Sequence, residues 1–485
     1  MNKTLVLALV LTLIIPALTA IPGDGKESKD AEKVGRLTTT LSEHVYSHSA
    51  SATNWDPNWV PNSEISPSWV DMVDAETFSN GGEGVYIAVL DTGMMDSAPF
   101  YFSQANIAYS LGKGFSHDLK WNSEKGDYDW SPVRNDRGIW TNDIGSGHGT
   151  HVASTIVGYR YGNDWVRGVA PKATIIPVLV LDTIMVDCPD PNYYNKEWDA
   201  GCHDGQVVFH GGSYEMVAAG IRYIADLSEE LDGPVIISMS LGGPEGSEVA
   251  RKAINYAINK GVVIVSSAGN DGYSGLGYPA TYPEVISVAA GGWTENWVPF
   301  GAPINPNWNF WMNDVPEDLG STDCWGNNGH LFLEDFSARP NKDLKQKNKD
   351  LDVTTPGSWI IGPYDPEIYW DGTWINPIAG YYYASGTSMA CPHVSGIASM
   401  VFQTWMNRNG PPVKKGIAQR TNQIKMERVL KTSARIHQVP KNGAWVPFHP
   451  IGYYYIRLQW YSWKQTHWGA GWLACDNAVN MAKIC

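Results

Sequence analysis

Five short segments of this chain are apolar at nearly every position: Val85–Leu90 (VYIAVL), Thr174–Leu181, Val235–Leu241, Val262–Ala268 and Val285–Ala290. A strand with one wet face alternates apolar and polar residues. An unbroken apolar run of this length predicts a strand buried on both faces, with something packed on each side. Helical patterns separate the runs. Tyr214–Leu227 carries apolar residues at helical spacing behind Ser213 as a predicted cap. Val249–Lys260 does the same and stops at Gly261. Strands alternating with helices imply an α/β fold: a doubly wound, mostly parallel sheet with helices on both faces.

Composition narrows the function classes. Hydrophobic residues make up 43% of the 485, enough for a large core, and the formal charge is −15. Nucleic acid is excluded as a partner, because neutralising phosphates needs a basic surface. The one basic cluster, Lys342, Lys345, Lys347 and Lys349, is interleaved with Asp343, Asp350 and Asp352 and reads as a solvated loop.

The N-terminus reads as a targeting segment. Lys3 precedes an apolar run from Leu5 to Ile15, Pro16 breaks it, and Ala20 suits cleavage. Residues 1–20 are therefore expected to be a signal peptide, the alternative being an uncleaved anchor. The polar stretch 21–58 is expected to be a leader or short pro-segment, and 59–485 one domain. A secreted or cell-surface protein with no membrane span after signal removal follows. A monomer is expected. Three insertions are expected, at about 182–212, 291–334 and 438–468, rich in Asp, in Trp, Asn and Pro, and in Trp and Tyr respectively. The 22 Trp residues concentrate in and near them and are expected mainly to pack the insertions on the core. Among the six cysteines, Cys188 with Cys202 and Cys475 with Cys485 could each close a local ring, though six cysteines allow about fifteen pairings.

Three Gly-rich motifs carry chemistry. Asp91 ends the first apolar run in VLDTG, His148 lies in GHGTHVA, and Ser388 lies in SGTSMACPH. A serine hydroxyl is a poor nucleophile at neutral pH. It needs a base to take its proton, and an imidazole base needs a carboxylate to fix its tautomer and stabilise its charge. The segment after Ser388 is apolar on most faces, which predicts a central buried helix, with Pro392 placed in its first turn. Cys391, on the same helix, reads as a buried thiol and not a nucleophile. HGTH is not HExxH, so the paired histidines are no metalloprotease signal.

With these motifs in the order Asp, His, Ser, the chain resembles the subtilisin-like serine proteases (subtilases, peptidase family S8) from about Trp69 to Ala482. The resemblance implies a serine endopeptidase acting on proteins or peptides through an acyl-enzyme on Ser388, with His148 as base and Asp91 orienting it. Asn270 in SSAGND matches the family's side-chain oxyanion donor. Ser240, Leu241, Gly242 and Gly243 match the substrate-binding edge. Together with Ala268 and Gly269 they would wall the pocket for the residue before the scissile bond. Gly277 matches the glycine at the pocket floor, so a large apolar or aromatic residue is expected there, with Asp271 near the rim as a source of basic preference. No cofactor is required for this chemistry. Structural calcium is left open, since Phe100 stands where the family's strong site expects an acidic partner. Gly162-Asn163-Asp164 and the Asp-rich insertion remain as candidate oxygen donors.

Overall fold

The computed structural model describes residues 8–9, 60–141, 147–195, 200–203, 205–294, 331–364, 368–370, 373–375, 380–410, 421–435, 441–448 and 457–484. Most of the expected signal and leader, and residues 295–330 of the second insertion, lie outside this set.

The central sheet uses the apolar runs in sequence. Its strands are β1 (Tyr86–Asp91), β2 (Lys113–Gly114) and β3 (Thr174–Leu179). After an inserted hairpin of β4 (Asp182–Asp187) and β5 (Gln206–Ser213) come β6 (Val235–Met239) and β7 (Val263–Ser267). The set is completed by β8 (Ile286–Trp293), β9 (Leu331–Leu333) and β10 (Val353–Pro356). The order across the sheet is β9-β8-β7-β6-β1-β3-β2, with β10 also paired to β8. Among the described residues, only β9 runs antiparallel to its neighbour in this sheet. The fold is the expected mixed α/β one with a mostly parallel sheet.

Alternation along each run explains why both faces are apolar. Ile87 and Val89 of β1 pack into one core, while Ala88 and Leu90 point into the other. The first face is covered by α1 (His148–Val157), α4 (Thr387–Asn409), α5 (Thr421–Ser433) and α6 (Cys475–Ala482). The second is covered by α2 (Tyr214–Leu227) and α3 (Glu248–Asn259). Ser213 caps α2 by accepting from Met216 N at 3.1 Å. Gly261, just past α3, takes the left-handed conformation (φ 88°) that a helix stop there requires.

The first and third of the expected insertions form hairpins outside this sheet. The first forms the β4–β5 hairpin, and the Cys188–Cys202 disulfide closes it. A hairpin of β11 (Gly443–Phe448) and β12 (Arg457–Ser462) belongs to the third. Trp293, Trp463, Trp468 and Trp472 join Leu331–Leu333 and Tyr461 in a third apolar cluster. That cluster also takes in Ala268, Leu276 and Ala338, so the last insertion braces the chain around residue 268.

Two expectations about the chain need correction. Cys475 is a buried free thiol against Met400 Sδ (3.7 Å), so it does not close a ring with Cys485, which lies outside the described residues. Pro392 is the sixth residue of α4, not part of its first turn. Its missing N–H therefore does orphan a carbonyl, that of Ser388 four residues earlier.

Candidate active site

Parallel strands all point their carboxyl ends to one edge of the sheet, where loops can gather polar groups. Asp91 is the last residue of β1 and faces Leu179, the last of β3. The pairing of Ser238 with Val89 puts Ser240 at the level of Asp91. Asp91 is fully buried. Its Oδ1 accepts from Thr92 N and from His148 Nδ1, each at 2.7 Å.

The Gly-rich setting of His148 has a steric cause. His148 is the first residue of α1, and that helix end presses against the end of β1. A Cβ on Gly149 would lie 2.3 Å from the Gly93 carbonyl oxygen, so no other residue fits. Gly149 N donates to Thr92 Oγ1 (3.0 Å) and Met95 N to Thr150 Oγ1 (2.9 Å). The four residues around His148 thus lock helix to strand and hold the imidazole over the carboxylate. His151 is buried and bonds to the Ile360 carbonyl oxygen (3.1 Å), a packing position.

Ser388 is the second residue of α4, where a backbone N–H has no partner within the helix. Its hydroxyl donates to the Ser240 carbonyl oxygen at 3.2 Å, and not to His148. The Ser240 hydroxyl donates in return to the Ser388 carbonyl oxygen at 2.7 Å. This is the carbonyl orphaned by Pro392, so Ser240 takes over the bond that the helix cannot make. Ser240→Ala should therefore leave a buried carbonyl unsatisfied and cost about 1–2 kcal/mol of stability, read from urea unfolding.

Asn270 reaches the same helix start. Its Oδ1 accepts from Thr387 N (2.9 Å) and Thr387 Oγ1 (3.0 Å), which fixes the amide and turns Nδ2 away. A Cβ built on Gly386 would sit 3.6 Å from both Asn270 Nδ2 and Ser388 N. Two N–H donors therefore flank one spot at the start of α4, with Met389 Sδ at 3.7 Å from it. Thr387, which also accepts from Gly269 N at 3.1 Å, is a site residue that sequence reading missed. The only signal was its place between Gly386 and Ser388.

The proposed pocket residues also converge. Gly243 N donates to the Tyr278 carbonyl oxygen (2.9 Å), Tyr278 N to that of Gly243 (2.8 Å), and Gly277 N to that of Ala268 (2.8 Å). Gly277 thus bridges the segment 240–243 to the segment 268–269. Gly269 has φ 104°, which a side chain would strain. Cys391 lies against β6, its Sγ 3.6 Å from Ser238 Oγ and 3.7 Å from the Met239 carbonyl oxygen. Burial pushes its thiol up to about 11, so no thiolate competes as a nucleophile.

Other polar groups are accounted for elsewhere. A cavity of about 490 Å³ lies beside β4, lined by Ser116, His117, Arg134, Arg137 and Asp182 among others. Its charges are internally paired: Asp182 with Arg137 (3.0 Å) and Ser116 (2.6 Å), Arg134 with Asp118 (3.0 Å). Asp182 of the Asp-rich insertion is thereby engaged, and Asp164 accepts from Ser63 Oγ at 2.8 Å. No group of three or more His, Cys, Asp or Glu that could hold a metal was found among the described residues.

Residues 82–445 match the family model described as the subtilase family, Peptidase_S8. The chain belongs to the subtilase family. This subtilase is 30% identical to thermitase of Thermoactinomyces vulgaris over 320 residues, 66% of this chain and 75% of that one. It is 28% identical to a subtilisin of Bacillus sp. (strain TA39) over 344 residues, 70% of this chain and 61% of that one. Among solved structures, the S41 psychrophilic protease aligns with a TM-score of 0.47 at 23% identity, over 79% of this chain and 93% of that one. As a subtilase the protein is a serine-type endopeptidase, with proteins or peptides as substrates and no cofactor needed for catalysis.

Proposed function

We propose that Ser388 is the nucleophile, His148 the general base, and Asp91 the carboxylate that orients and charges against it. The observation that carries this reading is the buried 2.7 Å bond between Asp91 Oδ1 and His148 Nδ1 at the strand-end edge that also holds Ser388. With Nδ1–H committed to Asp91, Nε2 is the basic nitrogen. Ser388 Oγ leaves the Ser240 carbonyl, gives its proton to Nε2 and attacks the scissile carbonyl. Asn270 Nδ2 and Ser388 N donate to the oxygen that becomes negative. His148 passes the proton to the leaving amine, then activates water to release the acyl-enzyme. Labelling with a fluorophosphonate followed by peptide mapping tests this, because the adduct must fall on Ser388 and vanish in Ser388→Ala.

An extended substrate would add as a strand along Ser240–Gly243, held by backbone bonds with little dependence on sequence. Selectivity then rests on the pocket of Leu241, Gly242, Gly243, Ala268, Gly269 and Gly277, for which we propose a large apolar or aromatic residue. A Cβ on Gly277 would lie 3.4 Å from the Gly243 carbonyl oxygen and 3.7 Å from that of Ala268. A small side chain is thus accommodated there and a larger one fills the pocket. Gly277→Val should lower kcat/KM after Phe or Tyr by about a hundredfold while cleavage after Ala changes by less than about threefold. A peptide library profile of both proteins reads this directly.

Secretion is proposed from Lys3, the apolar run Leu5–Ile15 and Ala20. No helix among the described residues is long and apolar enough to cross a membrane. The proposed working form is a monomer.

A further inference from the structure

Behind the Asn270 loop lies a fully buried arginine that the acyl-transfer scheme does not use. Arg339 is 2% exposed. Its fork donates to three main-chain oxygens of one turn: Asp335 O (2.7 Å) and Ser337 O (2.9 Å) from Nη1, and Glu334 O (3.1 Å) from Nη2. The guanidinium also covers the Tyr273 ring at 4.5 Å. Burying a cation is costly, and although Nε has no partner among the described residues, a planar fork meets several carbonyls at once where an ammonium cannot.

The turn so gathered is stitched to the loop carrying Asn270. Gly272 N donates to Phe336 O (2.8 Å), Ala338 N to Gly269 O (2.9 Å) and Arg339 N to Gly272 O (2.8 Å). Ser337 Oγ accepts from Ala290 N (3.0 Å) and ties the turn to β8. Loop 269–272 is therefore held from two sides. Thr387 at the start of α4 grips Asn270 Oδ1, and the Arg339 turn grips the backbone on either side of it. Without the turn, the loop has Thr387 and the Ala268–Gly277 bond to define where Asn270 Nδ2 points.

We propose that Arg339 is a positioning residue for catalysis, setting the turn against which the Asn270 loop registers and so aiming Asn270 Nδ2 at the developing oxyanion. The proposal rests on Asn270 being that donor. A donor displaced by a fraction of an ångström stabilises the transition state less, while the bound substrate scarcely feels the change.

The test is a double-mutant cycle of Arg339→Met and Asn270→Ala on a chromogenic peptide, with kcat per fluorophosphonate-titrated site. Counting titrated sites removes any unfolded fraction. Asn270→Ala should lower kcat by about 10²- to 10³-fold. Arg339→Met should lower kcat by about tenfold or more, with KM within about twofold, and Arg339→Lys should restore part of the loss. In the Asn270→Ala background, Arg339→Met should change kcat by less than about twofold, because the donor it aims is gone. An equal loss in both backgrounds, a rise in KM alone, or no loss would overturn the proposal. Were Arg339→Met not to fold, Arg339→Lys carries the same comparison. Should Asn270→Ala itself leave kcat intact, the oxyanion assignment falls and this inference with it. A normal Asn270 effect with undiminished Arg339 loss removes only the inference.

Discussion

Ser388→Ala is expected to reduce turnover of casein or a peptide substrate by about 10⁵-fold or more, with substrate affinity little changed. In the proposed scheme the hydroxyl forms the acyl-enzyme, and the nearby thiol of Cys391 is buried and held protonated. The fold should tolerate the change. What Ser388 Oγ loses is one 3.2 Å bond to the Ser240 carbonyl at a half-buried position. Residual activity should remain above the uncatalysed rate, because the proposed oxyanion donors and the proposed binding edge persist. Titration by fluorophosphonate should give no sites. Equal turnover by the native and substituted proteins would remove Ser388 as the nucleophile.

Asp91→Asn is expected to lower kcat by about 10⁴-fold with KM within a few-fold. Asp91 Oδ1 accepts two bonds, from Thr92 N and His148 Nδ1, while Oδ2 is buried and has no partner among the described residues. An asparagine has two ways to fit. Its oxygen can keep both bonds, which leaves a buried NH₂ with no acceptor. Otherwise it turns its NH₂ to His148 Nδ1, which moves the imidazole proton to Nε2 and leaves no base facing Ser388. Either way the negative charge is gone from a buried site, where screening of the imidazolium that forms is weak. Pre-steady-state acylation of the variant reads this step. An acylation rate within tenfold of the native one would show that Asp91 does not set the imidazole's state.

Legibility in the sequence followed the range of the interaction. The apolar runs at 85–90, 235–241 and 262–268 did become doubly buried strands, because burial on both faces is written into every position of such a run. Ser213 and Gly261 marked helix ends, since capping and left-handed turns depend on a few neighbouring residues. Gly149 was legible only as part of a motif. The 2.3 Å approach that demands it comes from a different strand. The pairing of Pro392 with Ser240 was hidden for the same reason. The missing N–H is a local fact, but the hydroxyl that compensates lies 148 residues away from Ser388 in the chain. Cys475 looked like half of a terminal ring by spacing, whereas α6 buries it against Met400.

By itself the sequence determined five strands of the central sheet (β1, β3, β6, β7 and β8), the helices α2, α3 and α4, that the sheet is covered on both sides, and the residue types available for acyl transfer. Those follow from periodicity, turn chemistry and side-chain reactivity, which act over a few residues. Only the tertiary structure decided that Asp91 and His148 share a buried bond, that Thr387 locks Asn270, and that Arg339 gathers the turn behind it. Each of those is a directional contact of about 3 Å between segments far apart in the chain, and its geometry is set by how the layers pack.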